Sequence, residues 1–195
     1  ILKSDIQITL NIKDMDFESK ITSREISQLL WEREKTLGTA ESCTGGKVAE
    51  AIIAVPGASK YFKGGIVSYA DEIKESLLGV DSQLIQEKTA VCEEVAVAMV
   101  KGACKALNTD YAIAVTGIAG PAGGTPEIPV GTIWLACGNE DNVATCQLTE
   151  DNGRDKNLQE ATHTVLEMFL EYLKGEEKVK EDDGESQGEV KWGAN

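Results

Sequence analysis

Leu37-Gly38-Thr39-Ala40-Glu41-Ser42-Cys43-Thr44-Gly45-Gly46-Lys47 is the stretch whose reading decides the fold. Its first half is an apolar strand candidate near residues 37–42, and the hydroxyl and glycine cluster behind it runs straight into a helical stretch, Lys47 to Ala54. In such an arrangement the first free N–H groups of the helix point back at the strand end and the glycines let a ligand approach the backbone, which suits an oxyanion or a phosphate. Ser42 sits just before those donors. Ordinary capping and turn chemistry draws on the same residue types, so the segment does not assign a function by itself.

Outward from this point, short apolar strands alternate with longer helical stretches, the pattern of an α/β sheet with helices on its faces. Strands are expected near residues 37–42, 64–70, 110–116, 130–138 and 142–149. Helices are expected over Glu72 to Leu78, Ser82 to Lys88, Glu93 to Leu107 and Arg154 to Leu173, besides the one at Lys47. Gly138-Asn139-Glu140-Asp141 is turn chemistry, so the last two strands should form an antiparallel hairpin and the sheet should be mixed. The fold class is therefore a three-layer α/β/α domain with a mixed sheet of about five or six strands. Upstream, Thr22-Ser23-Arg24-Glu25 has capping-box form ahead of Ile26, Leu29 and Leu30, which predicts an amphipathic helix ending before Gly38. Ile6, Ile8, Leu10 and Ile12 alternate weakly, so residues 1–21 read as an arm or extra edge strand, 22–174 as the domain. Past Gly175 the composition collapses to polar residues with almost nothing to bury, and 175–195 reads as an acidic disordered tail carrying the stray Trp192.

The chain has 195 residues and a formal net charge of -14, room for one core and a poor surface for nucleic acid, which is held by displacing counterions with Lys and Arg. A small phosphorylated molecule needs only one or two cations. Five cysteines, odd in number and without a C-x-x-C pair, read as reduced, and no metal site is expected. No charged leader or long apolar run points to export or a membrane, so the expected setting is cytoplasmic.

Two more strand ends carry polar or glycine-rich loops. Tyr69-Ala70-Asp71-Glu72-Ile73-Lys74 follows the second strand, and Thr116-Gly117-Ile118-Ala119-Gly120-Pro121-Ala122-Gly123-Gly124 follows the third. Ligands of open α/β sheets bind where such loops converge. A serine that attacks an amide needs a base, and a lysine serves when its surroundings favour the free amine, which makes Lys74 the candidate. Arg154, ahead of the last helix, offers a bidentate clamp for a phosphate. His163 lies inside that helix, a poor place from which to join a Ser-His-Asp triad. Neither the P-loop nor the dinucleotide glycine fingerprint is satisfied.

Taken together, Ala40 to Gly46, Tyr69 to Lys74, Thr116 to Pro121 with Gly123-Gly124, Pro129-Val130-Gly131-Thr132 and Arg154 resemble the CinA carboxy-terminal domain family, over about residues 22–173. That family includes stand-alone nicotinamide mononucleotide deamidases. The resemblance implies Ser42 as nucleophile, Lys74 as its base, Tyr69 and Thr116 completing a hydrogen-bonded catalytic group, and Arg154 assisting substrate binding. It also implies a homodimer, no cofactor, and a nucleotide as the small-molecule partner. The residue reading adds Thr44, Gly45 and Gly46 as N–H donors to phosphate or oxyanion, with Gly117 and Gly120 lining the substrate site. Departures from the family pattern fall at Asp71, commonly Asn, at Lys63, frequently Arg, and at Leu158, often basic. A pocket that binds nucleotide without turnover, and a nucleophile on Cys43 instead of Ser42, are the alternatives.

Overall fold

The computed structural model describes the backbone of residues 3–185 and the side chains of residues 17–176. Helix α1 (Lys3–Glu32) leads into strand β1 (Leu37–Glu41), helix α2 (Lys47–Ile53) and strand β2 (Phe62–Val67). Helices α3 (Asp71–Leu78), α4 (Ser82–Lys88) and α5 (Glu93–Leu107) precede strand β3 (Tyr111–Gly117), which is followed by β4 (Ile133–Gly138), β5 (Val143–Leu148) and α6 (Arg154–Glu185).

The five strands form one sheet in the order β2-β1-β3-β4-β5. β1 runs parallel to both β2 and β3, whereas β4 runs antiparallel to its neighbours β3 and β5, so the sheet is mixed as expected. Every residue of β1 is buried, as befits a strand flanked on both edges and covered on both faces. One face carries Leu37, Ile113, Val115, Leu135 and Cys137 against α1, α2 and α6. The other carries Ala40, Ala112, Ala114 and Ala136 at its centre, with Trp134 packed beside them, and these small side chains let α5 lie close with Val95, Met99 and Val100 fully buried. The β4–β5 turn is held by the Asn139 side chain, whose Oδ1 accepts the Asp141 and Asn142 N–H groups at 2.9 and 2.7 Å.

Two expectations at the chain ends need correction. Residues 3–21 form neither arm nor edge strand; they are the amino-terminal part of α1, and Thr22 and Ser23 lie inside that helix instead of capping it. No Gly or Pro interrupts the chain before Gly38, and the small residues Ser19, Thr22, Ser23 and Ser27 recur at helical spacing with Ile26 and Leu30, all buried. This stripe packs α1 along α6. At the other end, α6 does not stop at Gly175 but continues to Glu185, because Glu and Lys sustain a helix even where nothing apolar is left to bury. The Tyr111 hydroxyl donates to Glu176 Oε2 at 2.6 Å, and Arg33 donates to Leu173 O at 3.0 and 3.1 Å, which ties the segment around Gly175 to the domain. The rest of the expected tail, with Trp192, lies outside the described residues.

Candidate active site

The loops after β1, β2 and β3 converge on a cleft of ≈ 240 Å³ at the carboxyl ends of the parallel strands. β1 delivers Ser42 and Cys43, the β2 loop delivers Tyr69, Asp71 and Lys74, and β3 delivers Thr116, Gly117 and Gly120, with Arg154 arriving from the start of α6. Ser42, Lys74, Tyr69, Thr116, Gly117, Gly120 and Arg154, proposed from separate stretches of sequence, thus share one rim. Ala90, Val91, Ile118 and Ala122 add apolar wall.

Ser42 follows the last residue of β1 without a break in pairing. Its N–H donates to Val115 O at 2.9 Å and its carbonyl accepts the Gly45 N–H at 3.1 Å, so the backbone is fixed on both sides while the side chain, 8% exposed, borders the cleft. The hydroxyl has no hydrogen-bond partner among the described residues. Lys74 is 1% exposed, far more buried than a lysine in the first turn of a helix usually is. A buried ammonium needs an acceptor for each N–H, and Lys74 Nζ donates to Ser68 O at 2.9 Å, Asp71 Oδ1 at 3.3 Å and Tyr69 O at 3.5 Å.

The hydrogen-bonded catalytic group implied by the resemblance is therefore not assembled as such. Among the described residues, no side chain of Ser42, Lys74, Tyr69 or Thr116 bonds to another of the four. Thr116 Oγ1 donates instead to Ala90 O at 2.8 Å, which pins the α4–α5 loop to the cleft. Tyr69, 64% exposed, contributes its carbonyl to Lys74 and stands at the cleft mouth.

Thr44, Gly45 and Gly46 are placed differently from expectation. They do not line the cleft, and the Gly45 and Gly46 N–H groups expected there for a ligand are already used, by Ser42 O and by Glu41. Glu41, the last residue of β1 and 1% exposed, accepts the N–H groups of Gly46 at 2.9 Å and Val48 at 3.1 Å on Oε2 and that of Ala49 at 2.9 Å on Oε1. The helix start holds the protein's own carboxylate in place of a phosphate. Nothing in the sequence sets Glu41 apart for this role, since only the fold shows the side chain turning back over the helix.

Arg154 donates from one guanidinium nitrogen to Gly120 O at 2.7 Å, leaving other N–H groups for a ligand. Gly117 is required by crowding: a Cβ there would fall 2.6 Å from Ile133 Cα. Asn157, buried in the first turn of α6, was not singled out from sequence; its side chain donates to Ala119 O at 3.1 Å and Asp151 Oδ1 at 2.9 Å, fixing the loop that carries Gly120. Burial pushes the Cys43 thiol up to about 12, against opposing pulls from the Cys43 and Thr44 amides and from Arg154, which leaves the thiol protonated near neutral pH and argues against a Cys43 nucleophile. His163 faces α1, with Nδ1 3.4 Å from Ser19 Oγ, and takes no part in the cleft. Of the three departures, Asp71 contacts Lys74, Leu158 belongs to the core, and Lys63 sits exposed on the edge strand β2.

The CinA C-terminal domain family matches residues 19–173, the whole of the sheet and the cleft. The chain belongs to that family. Among CinA relatives, a CinA-like protein of Thermotoga sp. (strain RQ2) is 38% identical over 154 residues, which cover 79% of this chain and 38% of that protein. A CinA-like protein of Cytophaga hutchinsonii is 37% identical over 158 residues, 81% of this chain and again 38% of the relative, so the match spans well under half of these relatives. Solved CinA-type structures share the fold. Competence/damage inducible protein CihA from Agrobacterium tumefaciens superposes with TM-score 0.77 at 34% identity, covering 80% of this chain and 96% of its own. A CinA superfamily protein from Escherichia coli gives TM-score 0.75 at 35% identity, covering 80% and 91%. Among the described residues no helix is long and apolar enough to cross a membrane.

Proposed function

We propose that this CinA domain hydrolyses the carboxamide of nicotinamide mononucleotide to nicotinate mononucleotide and ammonia through an acyl-enzyme on Ser42. The observation that carries the reading is the meeting of a hydroxyl and a fully buried lysine amine at one cleft, with an arginine on its rim. Ser42 Oγ attacks the carboxamide carbon while Lys74, as free amine, takes the hydroxyl proton. Collapse of the tetrahedral intermediate breaks the C–N bond, and the Lys74 ammonium returns the proton to the departing nitrogen, releasing ammonia. Water then attacks the ester, Lys74 accepts its proton, and Ser42 leaves as the regenerated hydroxyl. As a free amine Nζ keeps two N–H groups for its three acceptors, and the longest of those bonds is the 3.5 Å contact to Tyr69 O. Arg154 is assigned to the phosphate, and the backbone amide of Cys43, the residue that lines the cleft beside Ser42, to the developing oxyanion. A homodimer working in the cytoplasm belongs to the same proposal.

A second reading has an observation of its own. All three Lys74 donors are engaged and the Ser42 hydroxyl is unpartnered, which suits a domain that binds nucleotide without turning it over. Incubating the purified protein with nicotinamide mononucleotide and measuring ammonia separates the two. The amidase reading expects release from the wild type and none from Ser42→Ala; binding without release in the wild type would refute it.

A further inference from the structure

We infer that Glu41 is a positioning residue for Ser42, closing the turn that presents the nucleophile by occupying the start of α2 with its own carboxylate. α2 begins after Gly46, which has φ 109° and no side chain to act as a cap. The work of a cap falls to Glu41, five residues upstream, whose two oxygens accept three backbone N–H groups. The same residue is fixed at its other end by the sheet. Its carbonyl accepts the Ser68 N–H at 2.8 Å, and its backbone pairs with Val67 on one side and Val115 on the other.

One residue therefore grips both ends of the loop 42–46. Inside that loop Gly45 and Gly46 adopt left-handed backbone, φ 60° and 109°, and glycines in that region have the most conformations to lose. Without the carboxylate, three amides at the helix start would lie unpaired, at a cost that favours rearrangement of the turn. Ser42 and Cys43 would move with it. Among the described residues the Glu41 carboxylate bonds none of Tyr69, Arg154 or the Gly117–Gly120 loop, so the loss should fall on the chemical step and spare ligand binding.

Glutamine has nearly the same shape as glutamate but offers a single acceptor oxygen and a donor NH2, so Glu41→Gln cannot serve both Val48 and Ala49. The kinetic arm of the test rests on the amidase reading. In it, Glu41→Gln is expected to lower kcat by about tenfold or more with KM within about threefold of wild type, and Glu41→Asp, whose carboxylate falls one methylene short, should not restore the rate. The structural arm is independent of turnover: in Glu41→Gln, amide exchange should accelerate by about tenfold at Ala49, or at Gly46 and Val48, on whichever side the single oxygen leaves, while the β3 amides stay protected. Unchanged exchange, unfolding of Glu41→Gln, a loss confined to KM, or a folded Glu41→Asp variant with wild-type kcat would each overturn the inference. Accelerated exchange in a protein whose wild type releases no ammonia would remove the amidase reading and leave the positioning role standing.

Discussion

Replacing Gly102 by alanine should damage the cleft from a distance. Gly102 lies on α5 against the last turn of α3, and a Cβ built there falls 1.9 Å from Leu78 O, 2.7 Å from Leu78 C and 2.8 Å from Leu78 Cα. Those are backbone atoms, which cannot swing aside as a side chain can. Even to reach 3.0 Å, below which real Cβ atoms are essentially never found, α3 would have to retreat by about 1 Å. Leu78 and Lys74 are the two buried residues of α3, one turn apart, so the retreat carries the lysine with it. Overpacking of this kind costs about 1–3 kcal/mol, which at about 2–4 °C per kcal/mol for a chain of this size should lower Tm by roughly 5 °C. A displacement of about 1 Å at a catalytic group lowers rate by up to about a hundredfold, so ammonia release should fall more than stability alone explains. Thermal melts and steady-state deamidation assays measure both. Gly175→Ala is the control, because nothing lies within 4 Å of its added Cβ. A Gly102→Ala protein that melts within about 1 °C of wild type and keeps its kcat would refute the claim that this close approach sets the position of Lys74.

The cysteines give a pH prediction with a definite sign. Burial pushes the thiols of Cys43 and Cys137 up to about 12 and that of Cys104 to about 11, above the 9.0 of an exposed thiol. The unfolded chain therefore releases these protons first, the stabilisation is whole below pH 9, and Tm should fall as pH rises from 9 toward 12 by more than in a Cys43→Ser, Cys104→Ser, Cys137→Ser variant. At pH 8 iodoacetamide should modify Cys92 and Cys146, the partly exposed pair, well before Cys43, with little loss of ammonia release; rapid loss of activity on Cys43 labelling would restore the thiol as nucleophile. Arg154→Ala should raise KM for nicotinamide mononucleotide by about tenfold or more with kcat nearly unchanged, and an unchanged KM would remove the phosphate from Arg154.

The strands were legible in the sequence because apolar residues within each segment are bounded by glycine and polar turns, and the three loops that build the cleft could be named from where those segments end. Lys74 was legible as a candidate but its burial was not, since nothing near it in sequence reports that Ser68 O and Tyr69 O turn toward the amine. Thr44, Gly45 and Gly46 had the composition of a ligand cradle. What displaced that reading was the reach of Glu41, a long-side-chain contact that strand periodicity cannot foresee. The helix ends were misjudged for a related reason: propensity carries α1 and α6 beyond the stretches in which their apolar stripes are clear.

The antiparallel half of the sheet adds no strand-end loop to the parallel set, yet it decides where Arg154 goes. Ile133 opens β4 beside Gly117, and Leu148 closes β5 opposite Ile133, so the hairpin makes an excursion to the far end of the molecule and returns the chain to the rim it left. Its outbound and return lengths must match for the guanidinium to arrive at Gly120 O. The Asn139–Asn142 tip, remote from the rim, is accordingly the natural place to splice in a label or a tether without disturbing the chemistry.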